Sequence, residues 1–283
     1  MQYQDIKNGR FYLGDCLEVM KEIPDGVIDL TVTSPPYDDL RTYNGYSFDF
    51  ENIAKELYRI TSEGGVIVWV VADSAKNGNE SGTSFRQALY FKEVGFNLAD
   101  TMIYEKAQAF TGSRYLYLNS FEYMFVFSKG QIKTSNLIRD RENARGGKTE
   151  SFAKRGRDRQ GKLSDRVIRT ASEFGKRKNI WKYGTGGKKE FDHPAVFPEA
   201  LARDHIISWS NEGDLIFDPF GGSGTTAVMA QALNRKWVTC EISEEYANKA
   251  VERILNHVPE VKPDSTIQIE DSIPVQEGEE NGN

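Results

Sequence analysis

The sequence predicts an α/β fold built on a largely parallel β-sheet. Short apolar runs typical of buried or half-buried strands recur along the chain, and helix-like stretches lie between several of them. Strands that alternate with helices of this length usually form a parallel sheet, because each helix carries the chain back across the sheet. A glycine-rich turn between a short strand and a helix-compatible run is typical of nucleotide-binding proteins of this class.

The predicted elements follow the chain in that alternating order. The strands are Ile28–Thr33, Val66–Ala72, Asp100–Tyr104, Tyr123–Phe127, Leu215–Phe217 and Trp237–Ile242. The helices are Ile53–Ile60, Ser84–Val94, Pro198–Trp209 and Glu244–Leu255. Proline suits the first turn of the third helix, and Ser243 suits the N-cap of the fourth.

Composition is that of an ordinary soluble protein. The 283 residues are 39% hydrophobic and 28% charged. No apolar run approaches the roughly 20 residues that cross a bilayer, and the first ten residues lack the apolar core of a signal peptide. Cys16 and Cys240 are far apart and fit no zinc spacing. We therefore expect a reduced, cytoplasmic protein with no membrane segment and no metal.

Charge is strongly segregated along the chain. Residues 129–189 hold 19 Lys and Arg against 6 Asp and Glu, whereas the rest of the chain holds 17 against 36. A basic face on an acidic body is the electrostatic pattern of a protein that binds a phosphate backbone. A solvated charged loop is the alternative interpretation of the same run.

The chain divides into four predicted segments. Residues 1–128 and 191–258 carry the strands and helices, and residues 129–190 form a Gly-, Arg-, Lys- and Ser-rich insert with weak periodicity. Residues 259–283 form an acidic tail with few large apolar side chains, for which we expect disorder.

The glycine-rich turn predicts a nucleotide-type cofactor. Gly222, Gly224 and Ala227 satisfy G-x-G-x-x-A, and Glu241 lies 19 residues beyond Gly222 at the end of the next strand. Glycines allow close backbone approach, the helix N-terminus attracts an anion, and a carboxylate can bind ribose hydroxyls. A Walker loop is disfavoured because threonines replace its lysine. A dinucleotide dehydrogenase stays open on this motif alone.

Two residues ahead of the turn favour a cationic ligand. Asp218 and Phe220 offer a carboxylate and an aromatic ring, which attract a positive charge. S-adenosylmethionine, with its sulfonium and amino groups, is such a ligand.

A second motif ends the strand Ile28–Thr33. The sequence Ser34-Pro35-Pro36-Tyr37 follows it directly, and two adjacent prolines cannot continue a sheet. The alternative interpretation is a proline turn that caps the strand, with Tyr37 as a packing residue.

Together the two motifs resemble the DNA methyltransferases that modify exocyclic amino groups, N4 of cytosine or N6 of adenine. The Ser-Pro-Pro-Tyr motif precedes the cofactor turn with a basic insert between them, an order similar to the permuted class called beta. The resemblance covers about residues 10–257. It implies a Rossmann-like methyltransferase fold, with a mostly parallel seven-stranded sheet, helices on both faces and an inserted target-recognition region.

The resemblance also implies roles for the site residues. Residues 1–128 would be the catalytic half of the methyltransferase domain, and residues 191–258 the cofactor-binding half. Asp15 would accept from the cofactor adenine, and Glu241 would bind its ribose. His193 to Pro198 would close over its methionine part. The implied S-adenosylmethionine-binding residues are Asp15, Cys16, Asp218, Pro219, Phe220, Gly221, Gly222, Gly224, Thr225, Thr226 and Glu241. A simple turn role for Asp15 and a core role for Phe220 stay open.

The catalytic residues implied by the resemblance are Ser34, Pro35, Pro36 and Tyr37. The Ser34 side chain and the Pro35 carbonyl would accept the two hydrogens of the target amino group. Tyr37 would stack on a base rotated out of the duplex. Serine before Pro-Pro is more common in the cytosine-N4 enzymes, so N4 of cytosine is the predicted target and N6 of adenine the alternative.

Double-stranded DNA is the predicted partner. Arg41 and Tyr43 follow the catalytic motif and would help to hold the flipped base, and residues of the basic insert would contact phosphates. The predicted DNA-binding residues are Arg41, Tyr43, Arg139, Arg141, Arg145, Lys154, Arg155, Arg157, Arg159 and Lys182.

Other functions stay open from the sequence. A nicotinamide-dependent oxidoreductase leaves the Ser-Pro-Pro-Tyr motif unexplained, and a recognition module without catalysis leaves that motif unused. An RNA amino-methyltransferase shares the chemistry. We expect a monomer or homodimer in the cytoplasm of a bacterial, archaeal or phage-infected cell, with a paired restriction endonuclease as an open partner.

Overall fold

A computed structural model describes residues 2–36, 48–110, 117–153, 166–184 and 198–257. The chain forms two compact units. The first comprises Met1–Asn136 and Asn179–Val261, and the second contains Leu137–Lys178. The two segments that the sequence separates as catalytic and cofactor-binding halves therefore share one unit. Residues 129–136 and 179–184, at the ends of the predicted insert, belong to this first unit as well.

The secondary-structure elements follow the chain in this order: β1 (Gln2–Ile6), β2 (Gly9–Leu13), α1 (Cys16–Lys21), β3 (Ile28–Thr33), α2 (Phe50–Ile60), β4 (Thr61–Val71), β5 (Ala75–Lys76), β6 (Asn79–Glu80), α3 (Thr83–Val94), β7 (Asn97–Phe110), β8 (Asn119–Ser128), β9 (Arg139–Glu142), β10 (Thr149–Ala153), β11 (Arg166–Thr170), β12 (Phe174–Lys176), β13 (Ile180–Tyr183), α4 (Glu199–Trp209), β14 (Leu215–Asp218), α5 (Thr225–Ala232), β15 (Lys236–Glu241) and α6 (Glu244–Asn256).

The first unit is organised around one nine-stranded sheet. Its strand order is β1-β2-β15-β14-β3-β4-β8-β7-β13. Pairing is antiparallel at β1–β2, β4–β8 and β7–β8 and parallel at the other five junctions. Seven strands therefore run in one direction, and β1 and β8 run against them.

The predicted α/β class with a mostly parallel sheet is confirmed, but the sheet has nine strands instead of seven. Strand β2 was absent from the six predicted strands, and so were the two edge strands β1 and β13, which pair with β2 and β7 at the two edges of the sheet. The sequence did not predict them because edge strands need little apolar alternation: four of the five residues of β1 are exposed.

Helices cover both faces of the sheet, as predicted. Phe125 and Phe127 of β8 pack in one core with residues of α1, α2 and α3. Met124 directly precedes Phe125 in β8 and faces the opposite side of the sheet, because successive side chains of a strand alternate. There its sulfur lies 3.2 Å from Nε2 of His205 in α4. Helix α5 packs against α4 and α6 packs against α5, so these three helices form the second layer.

Aromatic rings fill the first of these two cores. Phe91 of α3 is fully buried, and its ring centroid lies 4.7 Å from that of Phe127 and 5.1 Å from that of Trp69. The indole N–H of Trp69 donates to Oε1 of Gln87 at 2.8 Å, which satisfies the one polar atom of that ring.

The second unit consists of short antiparallel pairs. Strands β9 and β12 form one pair, and β10 and β11 form another. Nε of Arg177 donates to Oδ2 of Asp140 at 2.7 Å. These strands were not predicted, because the glycines and charges of this segment mask any alternation of two residues.

The predicted strands and helices of the first unit are all present, with shifted ends. Strand β7 continues to Phe110, six residues beyond its predicted end, and β4 begins five residues before its predicted start. Among the helices of the described residues, none is long and apolar enough to span a membrane.

Replacing Phe91 by alanine tests the importance of this aromatic core. The substitution leaves a cavity between Trp69 and Phe127, and we expect it to lower the free energy of unfolding by about 3–5 kcal/mol. Leu89→Ala is the matched control, because Leu89 lies on the same helix and is 60% exposed. Urea denaturation of both variants measures the difference, and equal losses would contradict the packing described.

Candidate active site

The site lies where parallel strands end together. Strands β2, β15, β14, β3 and β4 are adjacent and parallel, so their carboxyl ends meet at one edge of the sheet. Ligands of α/β proteins bind at this edge, in the crevice between the loops that follow the strands. Glu241, Asp218 and Thr33 are the last residues of three of these strands.

The glycine turn between β14 and α5 is tightly folded. The N–H of Gly221 donates to the carbonyl of Cys240 at 2.8 Å, and the N–H of Gly224 donates to that of Gly221 at 2.7 Å. Gly222 and Gly224 have φ angles of 51° and 76°, a region that favours glycine. A side chain at Gly221 would lie 2.5 Å from Oγ1 of Thr239. The conformation therefore requires glycine at these positions.

Glu241 closes the turn from the side of β15. Its carboxylate accepts from the N–H of Gly222 and from the N–H of Ser243, both at 2.9 Å. Glu241 is 9% exposed, and this burial raises the pKa of its carboxyl group. Each carboxylate oxygen has a further lone pair, so Glu241 keeps the capacity to accept from a ribose.

Asp218 joins the two sequence motifs. Its Oδ1 accepts from the Thr33 hydroxyl at 2.7 Å and from the Phe220 N–H at 3.1 Å. Asp218 is 2% exposed, and burial raises its pKa to about 6 although these hydrogen bonds oppose the shift. Thr33 directly precedes Ser34, so this carboxylate connects the start of the glycine turn to the residue before the proline corner.

A second hydrogen bond fastens the same two segments. The hydroxyl of Thr226, in the first turn of α5, donates to the carbonyl of Val32 at 3.0 Å. Pro35 is buried, and Ser34 and Pro36 are half-buried. The described part of the predicted catalytic motif thus lies beside the glycine turn, although 184 residues separate Ser34 from Asp218 in sequence.

Asp15 and Cys16 lie next to Glu241. The N–H of Gly14 donates to the carbonyl of Glu241 at 2.9 Å. Asp15 is the N-cap of α1, and its Oδ1 accepts from the N–H of Leu17 at 2.8 Å. Burial raises the pKa of the Cys16 thiol to about 12, so this group is uncharged at neutral pH. A helix cap is thus observed for Asp15, and its adenine contact stays a prediction.

Phe220 and Pro219 contact the protein interior. The Phe220 ring packs against Phe48 and Trp69, with centroid distances of 5.7 Å and 6.1 Å. The Pro219 carbonyl accepts from the thiol of Cys240 at 3.2 Å. Phe220 is half-buried, so its packing agrees with the core alternative and leaves part of its surface at the site.

Two residues of the site were missed by sequence reasoning. Thr33 carries the bond to Asp218, and Arg253 of α6 donates to the hydroxyl of Thr225 at 3.1 Å. Thr33 adjoins the Ser-Pro-Pro-Tyr motif, which is a signal that it could contribute. Arg253 lies in a helix with no motif around it, and only the tertiary structure brings it to the turn.

The predicted DNA-binding residues are divided between the two units and the part of the chain that the structure does not describe. Arg139, Arg141 and Arg145 lie in the second unit, where Nε of Arg141 donates to the carbonyl of Lys176 at 3.2 Å. Lys182 lies in the first unit and pairs with Glu105 at 2.6 Å, with both side chains exposed. Several predictions fall outside the described residues: Tyr37, Arg41, Tyr43, Lys154, Arg155, Arg157, Arg159 and His193.

The donors and acceptors of this edge fit S-adenosylmethionine. Two buried carboxylates, Asp218 and Glu241, suit a ligand that has positive charges and ribose hydroxyls. The N-terminus of α5, which begins after the left-handed Gly224, suits the carboxylate of the same ligand.

The fold and the site define an α/β protein with a tightly folded glycine turn at the carboxyl ends of its parallel strands, beside a proline corner. The family model described as DNA methylase, of the N6/N4 type, matches residues 28–252. The chain therefore belongs to the N6/N4 DNA methylase family.

Curated relatives agree with this assignment. The orphan methyltransferase M.BamHII of Bacillus amyloliquefaciens is 56% identical over 251 residues, which cover 84% of this chain and 93% of the relative. The type II methyltransferase M.SmaI of Serratia marcescens is 26% identical over 293 residues, covering 89% and 92%.

Solved structures show the same fold. The PvuII DNA methyltransferase, described as cytosine-N4-specific, superposes with a TM-score of 0.66 at 22% identity and covers 89% of each chain. The complex of M1.HpyAVI with SAM superposes with a TM-score of 0.56 at 19% identity and covers 87% of this chain and 99% of that one.

The protein is thus a DNA methyltransferase of the N4-cytosine/N6-adenine type, and S-adenosylmethionine is its methyl donor. The predicted family and cofactor are confirmed. This result decides against the nicotinamide-dependent oxidoreductase.

The pKa of Asp218 predicts a pH-dependent stability. Because this pKa is higher in the folded protein than its ordinary value of 3.8, the folded state binds more protons between pH 4 and pH 6. The contribution of protonated Asp218 to the free energy of unfolding is therefore complete below pH 4 and is lost as the pH rises through 6. The native protein should therefore lose about 2 kcal/mol of unfolding free energy between pH 4 and pH 6 through this group, and Asp218→Asn should not show this loss.

Urea denaturation between pH 4 and pH 7 measures this contribution. Asp5→Asn is the control, because Asp5 is exposed and the Arg10 guanidinium lowers its pKa instead of raising it. This variant keeps Asp218, so its unfolding free energy should fall with rising pH as in the native protein. A difference in unfolding free energy between the native protein and Asp218→Asn that does not vary with pH would contradict the assignment.

Proposed function

We propose that the enzyme transfers a methyl group from S-adenosylmethionine to N4 of a cytosine that is rotated out of double-stranded DNA. The observation that carries this proposal is the hydrogen bond between Thr33 and Asp218. It holds the Ser34-Pro35 corner at the start of the turn that we assign to the cofactor. A methyl acceptor bound at the corner would thereby lie next to the methyl donor.

The chemistry requires hydrogen-bond acceptors more than it requires a strong base. The lone pair of an exocyclic amino nitrogen is conjugated into the ring, so the nitrogen is a weak nucleophile. Two acceptors that bind the amino hydrogens favour a tetrahedral nitrogen with a localised lone pair. The Ser34 hydroxyl and the Pro35 carbonyl are the proposed acceptors, since a hydroxyl and a carbonyl oxygen each have two lone pairs.

The prolines make this arrangement rigid. Their ring-fixed φ angles direct the Pro35 carbonyl at a small entropic cost, and Pro35 is itself buried. The bond from Thr226 to the Val32 carbonyl restrains the strand two residues before Ser34. Acceptors that are already oriented do not need to reorganise when the amino group reacts.

S-adenosylmethionine supplies an electrophilic methyl group on a sulfonium. Asp218 and Phe220 are proposed to face its positively charged methionine end, and Glu241 its ribose. Asp15 is proposed to accept from its adenine through the carboxylate oxygen that does not cap α1. The backbone N–H groups of the first turn of α5 are proposed to bind its carboxylate, because the hydroxyl of Thr226 is committed to Val32.

A flipped base is required because a stacked amino group is not accessible to in-line attack. We propose that Tyr37 stacks on the extruded base and that Arg41 and Tyr43 help to hold it. Phosphate contacts are proposed for the basic residues of the insert, among them Arg139 and Arg145 of the second unit, and for Lys182 of the first.

Cytosine N4 is favoured over adenine N6 by two observations. Serine precedes the two prolines, and the PvuII methyltransferase that shares this fold is described as cytosine-N4-specific. The serine hydroxyl could accept from either amino group, so N6 of adenine is the second candidate. The oligomeric state and a partner endonuclease stay predictions.

Replacing Ser34 by alanine tests the proposed acceptor. We expect methyl transfer at saturating S-adenosylmethionine to fall by about 10²–10³-fold, while cofactor affinity stays within about twofold. Ser62→Ala is the control, because Ser62 lies at the amino end of β4, whereas the site lies at the carboxyl ends of the strands. Native turnover in Ser34→Ala would overturn the role assigned to this serine.

Nucleoside mass spectrometry of DNA methylated by the enzyme tests the target base. We expect N4-methylcytosine and no N6-methyladenine. N6-methyladenine alone would overturn the base assignment and leave the reaction class intact. If the enzyme binds S-adenosylmethionine and an unmodified DNA of mixed sequence but forms neither methylated base, the proposed reaction is overturned.

A further inference from the structure

A buried arginine contacts the glycine turn from outside the sequence motifs. Arg253 lies on α6, 29 residues beyond Gly224, and is 5% exposed. Burying a guanidinium is costly unless charged or polar partners compensate for the lost water. The partners of Arg253 therefore indicate what this residue does.

Three of its contacts are made with the turn itself. Nη1 of Arg253 donates to the carbonyl of Ser223 at 3.0 Å, to the hydroxyl of Ser223 at 3.0 Å and to the hydroxyl of Thr225 at 3.1 Å. Ser223 lies between the two glycines with positive φ, and Thr225 is the first residue of α5. One nitrogen thus binds both the residue between the two glycines and the start of the helix.

The other side of the guanidinium is held by a carboxylate. Nη2 of Arg253 donates to Oε1 of Glu199 at 2.6 Å, and Glu199 is the first residue of α4. This ion pair balances the buried charge and fixes the direction of the guanidinium. Glu199 itself has no contact with the turn among the hydrogen bonds of the described residues.

The contacts of Arg253 complete a two-sided restraint. The Ser223 carbonyl and the Gly224 N–H belong to one planar peptide group. Arg253 holds the carbonyl, and Gly221 accepts from the N–H at 2.7 Å. On the opposite flank, Glu241 holds the N–H of Gly222. Without such restraints, two glycines would allow the turn many conformations, and binding would have to select one.

We propose that Arg253 is a positioning residue for the cofactor, which keeps the glycine turn in its binding conformation without contacting the substrate. Glu199 orients Arg253 in turn. This inference rests on the proposed assignment of the glycine turn to S-adenosylmethionine.

Calorimetric titration with S-adenosylmethionine tests the inference directly. Arg253→Met keeps most of the side-chain length and removes the donors, so we expect the dissociation constant to rise by about 10-fold or more. Turnover at saturating cofactor should stay within about threefold. Lys249→Met is the matched control, because Lys249 lies on the same helix in an exposed pair with Glu245 and should bind like the native enzyme.

A double-mutant cycle separates positioning from packing. We expect Glu199→Gln to weaken cofactor binding by about threefold or more in the native background and to have no further effect in Arg253→Met. Arg253→Lys, which keeps a donor and the charge, should restore part of the affinity. A lower unfolding midpoint with native affinity in Arg253→Met would show a packing role and overturn the inference.

Two further outcomes keep the test decisive. If Arg253→Met does not fold, native affinity in both Glu199→Gln and Arg253→Lys would overturn the inference. If the native enzyme does not bind S-adenosylmethionine, the cofactor assignment fails and the inference fails with it. Native-like binding by the variants alone overturns only the role of Arg253.

Discussion

The hydrogen bonds of Asp218 are the constraint on which the site depends. One buried carboxylate oxygen accepts from Thr33, at the end of the strand that precedes Ser34, and from Phe220, at the start of the glycine turn. The sheet places the two strand ends side by side, and this carboxylate fixes their relative position. A methyl transfer needs its donor and acceptor groups aligned, so a local contact between neighbouring strands supports the chemistry proposed for the whole enzyme.

Burial strengthens the hydrogen bonds of Asp218 and also makes its ionised form less favourable. Burial raises the pKa of Asp218 to about 6, so the ionised carboxylate is less favourable in the protein than in water. Glu241 lies in the same region, and burial raises its pKa too. Acidic groups held at the carboxyl edge suit a ligand with positive charge, whose binding would favour the ionised forms. Burial of these two ionised carboxylates therefore lowers the free energy of unfolding at neutral pH.

Much of this site could be predicted from the sequence, because each motif is local. The glycine turn, Glu241 and the proline corner were recognised from contiguous residues, and the alternation of strands and helices predicted the fold. Thr33 and Arg253 were not predicted as site residues, since their roles arise from partners 185 and 28 residues away. Strands β1, β2 and β13 were missed for a related reason, because pairing in the tertiary structure, more than apolar alternation, makes them strands.

A double-mutant cycle between Thr33→Val and Asp218→Ala, measured as the catalytic efficiency of methyl transfer to DNA, tests the central claim most directly, because each single variant removes the Thr33–Asp218 hydrogen bond. If the Thr33–Asp218 bond aligns the proline corner with the glycine turn, the effects are not additive, and the double variant is about as impaired as the more damaging single variant. Additive losses would contradict the account, because the two residues would then act on the reaction independently.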